Sequence, residues 1–93
     1  MKLLYCEDCH DVIKLIETSR KCKCGKVSGH YVDNLNAVYF GGVPLGFNNH
    51  LFLNAIDNQP KSGQGLVFEA FVVPKSCSTF VKLNKRIIRR ENV

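Results

Sequence analysis

The apolar residues of the first part of the chain form short runs of the kind that build strands. Residues 12–17 are rich in β-branched side chains and alternate so that Ile13 and Leu15 share one face. The turn-forming residues 18–21 follow, and we expect them to return the chain as a hairpin. Two further β-prone pieces, separated by Asp and Asn, lie within residues 31–40. This pattern predicts an antiparallel β-sheet.

One central helix is predicted from its start and stop signals. Glycine and proline in residues 41–46 should interrupt any regular element. Asn48 is a good N-cap, and Pro60 ends the segment. Between them lies an apolar face made of Leu51, Phe52, Leu53, Ala55 and Ile56.

The last third of the chain predicts one buried strand and a basic helix. Residues 66–73 are almost continuously apolar, as in a strand buried on both faces. Residues 79–90 fit a helix better, because helical periodicity separates an apolar side from a basic side. The apolar side holds Phe80, Leu83 and Ile87, and the basic side holds Lys82, Lys85, Arg86, Arg89 and Arg90.

The predicted elements and the size of the chain define a small α+β fold. With 93 residues and 45% hydrophobic content, the chain has material for one domain covering residues 1–93. We divide it into a cysteine-bearing subregion, residues 1–29, and an α+β remainder, residues 30–93. A chain this short buries only about 60–65% of its unfolded surface, so a metal crosslink would add useful stability.

The strongest indication of a functional site is a set of four cysteines arranged as two close pairs. Cys6 and Cys9 have the C-x2-C spacing of zinc ligands, and Cys22 and Cys24 follow with a single residue between them. In extended backbone, side chains i and i+2 point to the same side, so the second pair can still converge on one ion. We predict one structural Zn²⁺ held by four thiolates, with a disulfide or redox pair as the alternative. His10 could replace one cysteine as a ligand, although a surface histidine is the simpler interpretation.

The motif Cys6-x-x-Cys9 with Cys22-x-Cys24-Gly25 resembles the rubredoxin-type knuckles of zinc-ribbon proteins. More broadly, the chain resembles short zinc-ribbon proteins of bacteria and their phages to which no function is attached. The resemblance covers about the first third of the chain, and it implies a metal-binding ribbon there. It implies nothing about activity.

Charge leads to the first functional hypothesis. The formal net charge is +5, which permits binding to polyanions without demanding it. The basic side of the C-terminal segment, together with Lys21 and Lys23 beside the second cysteine pair, predicts nucleic-acid binding through phosphate contacts. The simpler interpretation is a solvated helix face.

Two other binding functions compete with it. Gly41, Gly42 and Gly46 precede a helix start at Asn48 and Asn49, where backbone amides could hold a small anion. A nucleotide is one candidate for this anion. If the protein belongs to a phage, such a site could bind and sequester a signalling nucleotide of the host. The third possibility is a protein-interaction module, because ribbon sheets commonly pack against partners.

Catalysis is the weakest hypothesis, and we expect a non-catalytic protein. An enzyme would have to use Cys77 with His30 or His50 as base and Glu69 as a further acid. A free cysteine is more often a small buried hydrophobe. The chain start lacks the apolar core of a signal peptide, and no apolar run is long enough to cross a bilayer, so we expect a cytoplasmic protein without a membrane partner.

Overall fold

A computed structural model describes residues 1–83 of the chain. The fold class is α+β, as predicted. The elements are β1 (Lys2–Tyr5), β2 (Val12–Lys14), β3 (Arg20–Lys21), β4 (Ser28–Tyr31), β5 (Ala37–Phe40), β6 (Val43–Phe47), α1 (Asn49–Asp57), β7 (Ala70–Val72) and β8 (Phe80–Lys82).

The strands form two four-stranded sheets. Sheet A has the order β2-β1-β6-β7 and is antiparallel throughout, whereas sheet B has the order β3-β4-β5-β8 and its β5–β8 pair is parallel. The predicted hairpin through residues 18–21 is therefore wrong. β2 pairs with β1 and β3 pairs with β4, so residues 15–19 carry the chain from one sheet to the other.

Both sheets contribute to one hydrophobic core. Leu4 and Ile13 come from sheet A, and Tyr39 and Phe80 come from sheet B, where their rings meet edge to face at 5.0 Å. Gly29 in β4 permits close approach, since a Cβ there would lie 2.9 Å from the Leu4 side chain. Residues 41–72 contribute nothing to this core.

Helix α1 begins and ends where its capping signals predict. The Asn48 side-chain oxygen accepts a hydrogen bond from the Leu51 N–H at 3.2 Å, which satisfies one free amide of the first turn. Phe52 of α1 packs against Phe47 and Phe68 in a cluster of three rings with centroids 4.9–5.4 Å apart. None of the helical residues is fully buried, so α1 sits on the surface of the molecule.

Two predictions for the middle of the chain are wrong. Only Gly41 and Gly42 form a turn, with φ of +65° and +79°, and strand β6 then runs through Pro44 and Gly46. Residues 66–73 contain just the three-residue strand β7, and every residue of β7 is exposed. Successive residues of a strand point to opposite faces, so neither face of this edge strand is fully covered by the described residues.

The predicted C-terminal helix is wrong where the structure describes it. Phe80–Lys82 form strand β8, and the Leu83 N–H continues the ladder by donating to the Tyr39 carbonyl at 2.7 Å. Pairing with β5 and burial of Phe80 outweigh the helical periodicity. Four of the predicted basic residues lie outside the described part of the chain: Lys85, Arg86, Arg89 and Arg90. Within residues 1–83, no helix is long and apolar enough to cross a membrane.

Candidate metal centre

The two cysteine pairs lie in the turns of two hairpins that belong to different sheets. Cys6 and Cys9 lie between β1 and β2, and Cys22 and Cys24 lie between β3 and β4. In each hairpin the first cysteine directly follows the first strand. We call residues 6–11 the first knuckle and residues 22–27 the second knuckle.

The backbones of the two knuckles share two features. The N–H of the first cysteine donates to the carbonyl five residues later in both: Cys6 to Asp11 and Cys22 to Val27, each at 2.9 Å. The residue after the second cysteine has positive φ in both, +61° at His10 and +82° at Gly25. The shared turn lets the chain reverse while both sulfurs point into the same space, despite the different cysteine spacing.

The four sulfur atoms converge on a single point. All lie within 4.8 Å of one another, and the Cys6–Cys24 and Cys22–Cys24 separations are both 3.6 Å. Tetrahedral zinc with Zn–S bonds of about 2.3 Å requires sulfurs about 3.8 Å apart, so these positions fit the ion. The same separations are far longer than the roughly 2.05 Å of a disulfide bond. The four cysteines thus form a site that could hold a metal ion.

Backbone amides surround the sulfurs, as expected for a thiolate site. The Cys9 N–H donates to Cys6 Sγ at 3.5 Å, and the Val27 N–H donates to Cys22 Sγ at 3.3 Å. Such bonds spread the negative charge of a thiolate and orient its lone pairs toward a metal. Cys6 and Cys22 are also buried, with 1% and 5% of their surface exposed, so the inner half of the site is shielded from solvent.

The pKa values of Cys22 and Cys24 are shifted in opposite directions. Desolvation raises the pKa of Cys22, but the Val27 amide and the neighbouring thiols outweigh it and lower that pKa to about 6. At Cys24 the Lys26 amide lowers the pKa, whereas desolvation and the neighbouring sulfurs raise it to about 12. Four like charges this close cannot all persist without a cation. A divalent ion would relieve the repulsion, and its binding would release protons.

Contacts between the knuckles hold the two halves of the site together. The Asp11 carboxylate in the first knuckle accepts the Lys23 N–H of the second at 2.9 Å. An ion pair of 3.5 Å joins Asp8 to Lys26, but both side chains are about two-thirds exposed, so it contributes little. Asp11 and Val27 were not singled out from the sequence. Their position five residues after a first cysteine is the signal that could have found them.

His10 does not belong to the four-sulfur cluster. Its Nδ1 lies 2.7 Å from the Tyr5 hydroxyl, and its side chain is exposed. The surface interpretation of this histidine therefore agrees with its position.

Comparison with protein-family models, curated proteins and solved structures finds no match for this chain. The likeness to a zinc-ribbon motif consequently rests on the cysteine spacing and on the convergence of the four sulfurs. Both support a small metal-binding module.

The basic residues that were predicted to bind nucleic acid, where the structure describes them, do not form one patch. Lys21 in β3 and Lys23 in the second knuckle are both exposed and lie on the same hairpin. Lys82 lies in β8 at the opposite edge of sheet B, so three strand spacings, about 14 Å, separate it from β3.

The residues proposed for anion binding are spread along sheet A. Gly41 and Gly42 turn the chain before β6, and Asn48 follows that five-residue strand, so six residue steps, roughly 20 Å, separate Gly42 from Asn48. Gly46 lies within β6, where a Cβ would be 2.7 Å from the Phe71 ring.

The Asn49 side chain accepts a hydrogen bond from the Met1 amine at 2.9 Å. Asn49 also borders an open groove of about 330 Å³, together with Tyr31, Phe52 and Leu53 among others.

The residues considered for catalysis have ordinary surroundings. Cys77 is half-buried and lies 3.5 Å from the Thr79 hydroxyl, which together with the Thr79 and Phe80 amides lowers the pKa of the thiol. Glu69 and His50 are exposed, and His30 lies in β4 opposite Val38. Among the described residues, the hydrogen bond of the Cys77 side chain is to a threonine and not to a histidine.

Proposed function

We propose that this protein is a zinc-binding module in which one Zn²⁺ has a structural role. The observation that carries the proposal is the convergence of four cysteine sulfurs from two hairpins. With four protein sulfurs as ligands, tetrahedral zinc keeps no open position for water or substrate, so the metal stabilises the fold and performs no chemistry. The ion would join sheet A to sheet B through the two knuckles.

Native mass spectrometry with elemental analysis tests the proposal. We expect one Zn²⁺ per chain in the wild type, and we expect Cys22→Ser to abolish binding and cooperative unfolding together. Cys77→Ser is the matched control, because Cys77 lies outside the cluster. Iron in place of zinc would overturn the metal assignment, since tetrahedral thiolate sites also suit iron. A stably folded, metal-free wild type would overturn the structural role.

Nucleic-acid binding is a second proposed function, favoured by the basic character of the second hairpin. Lys21, Lys23 and Lys26 lie close together in sequence around the second cysteine pair, and all three side chains are exposed. Lysines in such a turn could contact successive phosphates without reading sequence. Lys82 lies at the opposite edge of sheet B and would be a separate phosphate contact, and the C-terminal residues Lys85, Arg86, Arg89 and Arg90 would supply further ones.

The salt dependence of binding to single-stranded and duplex DNA tests this second function. If Lys21 and Lys23 each contact one phosphate, replacing both by alanine should reduce the slope of log K against log salt by about 1.8 for duplex DNA. Replacing Arg86, Arg89 and Arg90 by alanine tests the C-terminal residues in the same way, and Lys61→Ala is a control in the loop after α1. Affinity weaker than about millimolar at low salt would exclude this function.

A further inference from the structure

Strand β7 presents an apolar edge. It is the last strand of sheet A in the described part of the chain, with β6 on one side only. Phe71 is 51% exposed and Val72 is 65% exposed, although both would be core residues by type. An apolar edge strand is a template for pairing with another chain.

The hydrogen bonds of β7 show which backbone groups face outward. The Val73 N–H donates to the Pro44 carbonyl at 2.8 Å, and the Glu69 carbonyl accepts from the Asn48 N–H at 2.9 Å. Groups alternate along a strand, so residues 69, 71 and 73 face β6. The N–H and C=O groups of Ala70 and Val72 therefore point away from the sheet.

We propose that a second copy of this chain pairs with β7, antiparallel and with Val72 on the two-fold axis. In this register the two Val72 residues exchange backbone hydrogen bonds, and Phe71 of each copy lies opposite Val73 of the other. Glu69 of each copy lies opposite Lys75 of the other, so an ion pair forms at each end of the paired segment. The edge is thus complementary to itself in charge.

Neighbouring registers are less favourable. Centring the pair on Phe71 would place the Glu69 carboxylate opposite Val73, which is only 9% exposed and packs in the core. Pro74 limits pairing in the chosen register, because its carbonyl can accept from the Ala70 N–H but it has no N–H to extend the ladder. An isologous pair of this kind closes at two copies and does not propagate.

The segment before β7 supplies additional apolar surface. Leu66 is 50% exposed and Val67 is 90% exposed. Three residues of strand alone fall well short of the roughly 1,000 Å² expected of a specific interface, so these side chains would have to contribute. We therefore expect a dimer in reversible equilibrium with its monomer. The proposal is independent of the metal and of nucleic-acid binding.

Sedimentation equilibrium of the full zinc-loaded chain tests the proposed register by charge reversal. Glu69→Lys and Lys75→Glu should each weaken the dimer about tenfold, because each turns two attractive pairs into repulsive ones. The double variant restores opposite charges and should return the dissociation constant to within about threefold of wild type. Glu17→Lys is the control, with the same charge change in the exposed β2–β3 connection. A dissociation constant that is unchanged by both charge reversals would overturn the proposal.

Val72→Pro tests the backbone pairing directly. The Val72 N–H faces outward, so proline should leave the β6 ladder intact and weaken the dimer by about a hundredfold. Circular dichroism would confirm that the variant folds. Hydrogen exchange completes the test: the Val72 amide should become protected only as the protein dimerises. A wild type that stays monomeric at millimolar concentration, or a Val72 amide protected in the monomer, would overturn the proposal.

Discussion

At the scale of single residues, the most informative feature is the backbone just after each second cysteine. His10 and Gly25 each directly follow the second cysteine of their knuckle, and both have positive φ. Glycine adopts this conformation without cost, whereas other residues pay about 1–2 kcal/mol. The first knuckle thus accepts a strained residue, and the hydrogen bond between His10 and the Tyr5 hydroxyl compensates for part of that strain.

Replacing Gly25 by alanine should destabilise the zinc-loaded protein by about 1–2 kcal/mol. No atom lies within 4 Å of the position that the new Cβ would take, so the expected cost comes only from φ. Denaturant unfolding would measure it. Gly65→Ala is the control, because its surroundings are equally open and its φ is not in the left-handed region; it should be neutral or stabilising. Equal effects of the two substitutions would contradict this account.

The reverse substitution, His10→Gly, should stabilise the first knuckle or leave it unchanged. Removing the strain gains about 1–2 kcal/mol, whereas losing an exposed hydrogen bond costs about 0.5–1.5 kcal/mol. Tyr5→Phe isolates the second quantity, since it removes the hydroxyl and leaves φ alone. Thermal unfolding of both variants would separate the two contributions. A large loss of stability or of zinc in His10→Gly would mean that the imidazole has a role at the metal.

At the scale of elements, the accuracy of the sequence predictions follows the range of the interactions involved. Helix α1 could be predicted because the Asn48 cap and the Pro60 stop act within a few residues of its ends. The four-cysteine site could be predicted because ligand spacing is also local. Strand pairing could not be predicted. β8 pairs with β5 across some forty residues of chain, and the sequence of residues 80–82 does not indicate which strand it pairs with. The exposure of β7 could not be predicted, because an apolar run has the same sequence pattern in a buried central strand and in an exposed edge strand.

The N-cap of α1 makes a measurable contribution to stability. Asn48→Ala should cost about 1 kcal/mol, since the Leu51 N–H loses its acceptor. Asn48→Asp should retain that stability or increase it by about 0.3–1 kcal/mol, because α1 has no acidic residue in its first turn and a negative charge there favours the helix dipole. Thermal unfolding of the two variants would show the difference. If both lost stability equally, the side-chain oxygen would not be acting as a cap.

The β5–β6 turn connects the fold to the metal site. A Cβ on Gly42 would lie 2.8 Å from the Tyr5 carbonyl oxygen and 2.9 Å from the Val27 side chain, and φ there is +79°. Val27 donates the amide that bonds Cys22 Sγ. Gly42→Ala should therefore cost roughly 2–4 kcal/mol and weaken zinc binding at the same time.

Gly46→Ala provides the comparison, because the three atoms nearest its Cβ would all belong to the half-exposed ring of Phe71, and Gly46 pairs with Lys2 at the end of β1 away from Cys6. We expect a smaller loss of stability and unchanged zinc affinity, measured by competition with a chromogenic chelator. Unchanged zinc affinity in Gly42→Ala would separate the turn from the metal site.

At the scale of the whole molecule, the cysteine cluster is where the two sheets are tied together. Each knuckle belongs to a hairpin of a different sheet, and the Asp11–Lys23 hydrogen bond and the Asp8–Lys26 ion pair join the two knuckles. Away from the knuckles, the Lys2 N–H donates to the Tyr31 hydroxyl at 3.2 Å and the Arg20 guanidinium donates to the Lys14 carbonyl at 3.0 Å, which also link the sheets. The ion pair is exposed and weak, so the metal would provide most of the connection between the two knuckles. The hydrophobic core spans both sheets, but few of its large side chains are fully buried. Within residues 1–83 the largest of these are Phe80, Leu4 and Leu15.

Removing the metal should therefore unfold both sheets together and not the knuckles alone. Chelation at neutral pH should lower the melting temperature by tens of degrees, because several kcal/mol of metal binding are lost and each kcal/mol is worth about 4–8 °C in a domain this size. Hydrogen exchange would show where protection disappears: amides of Leu4 in sheet A and Tyr39 in sheet B should lose it at the same chelator concentration. Lys26→Ala is the control for the polar links and should change stability by less than about 0.5 kcal/mol. If Tyr39 kept its protection after metal removal, sheet B would fold independently, and the metal would stabilise only the knuckles.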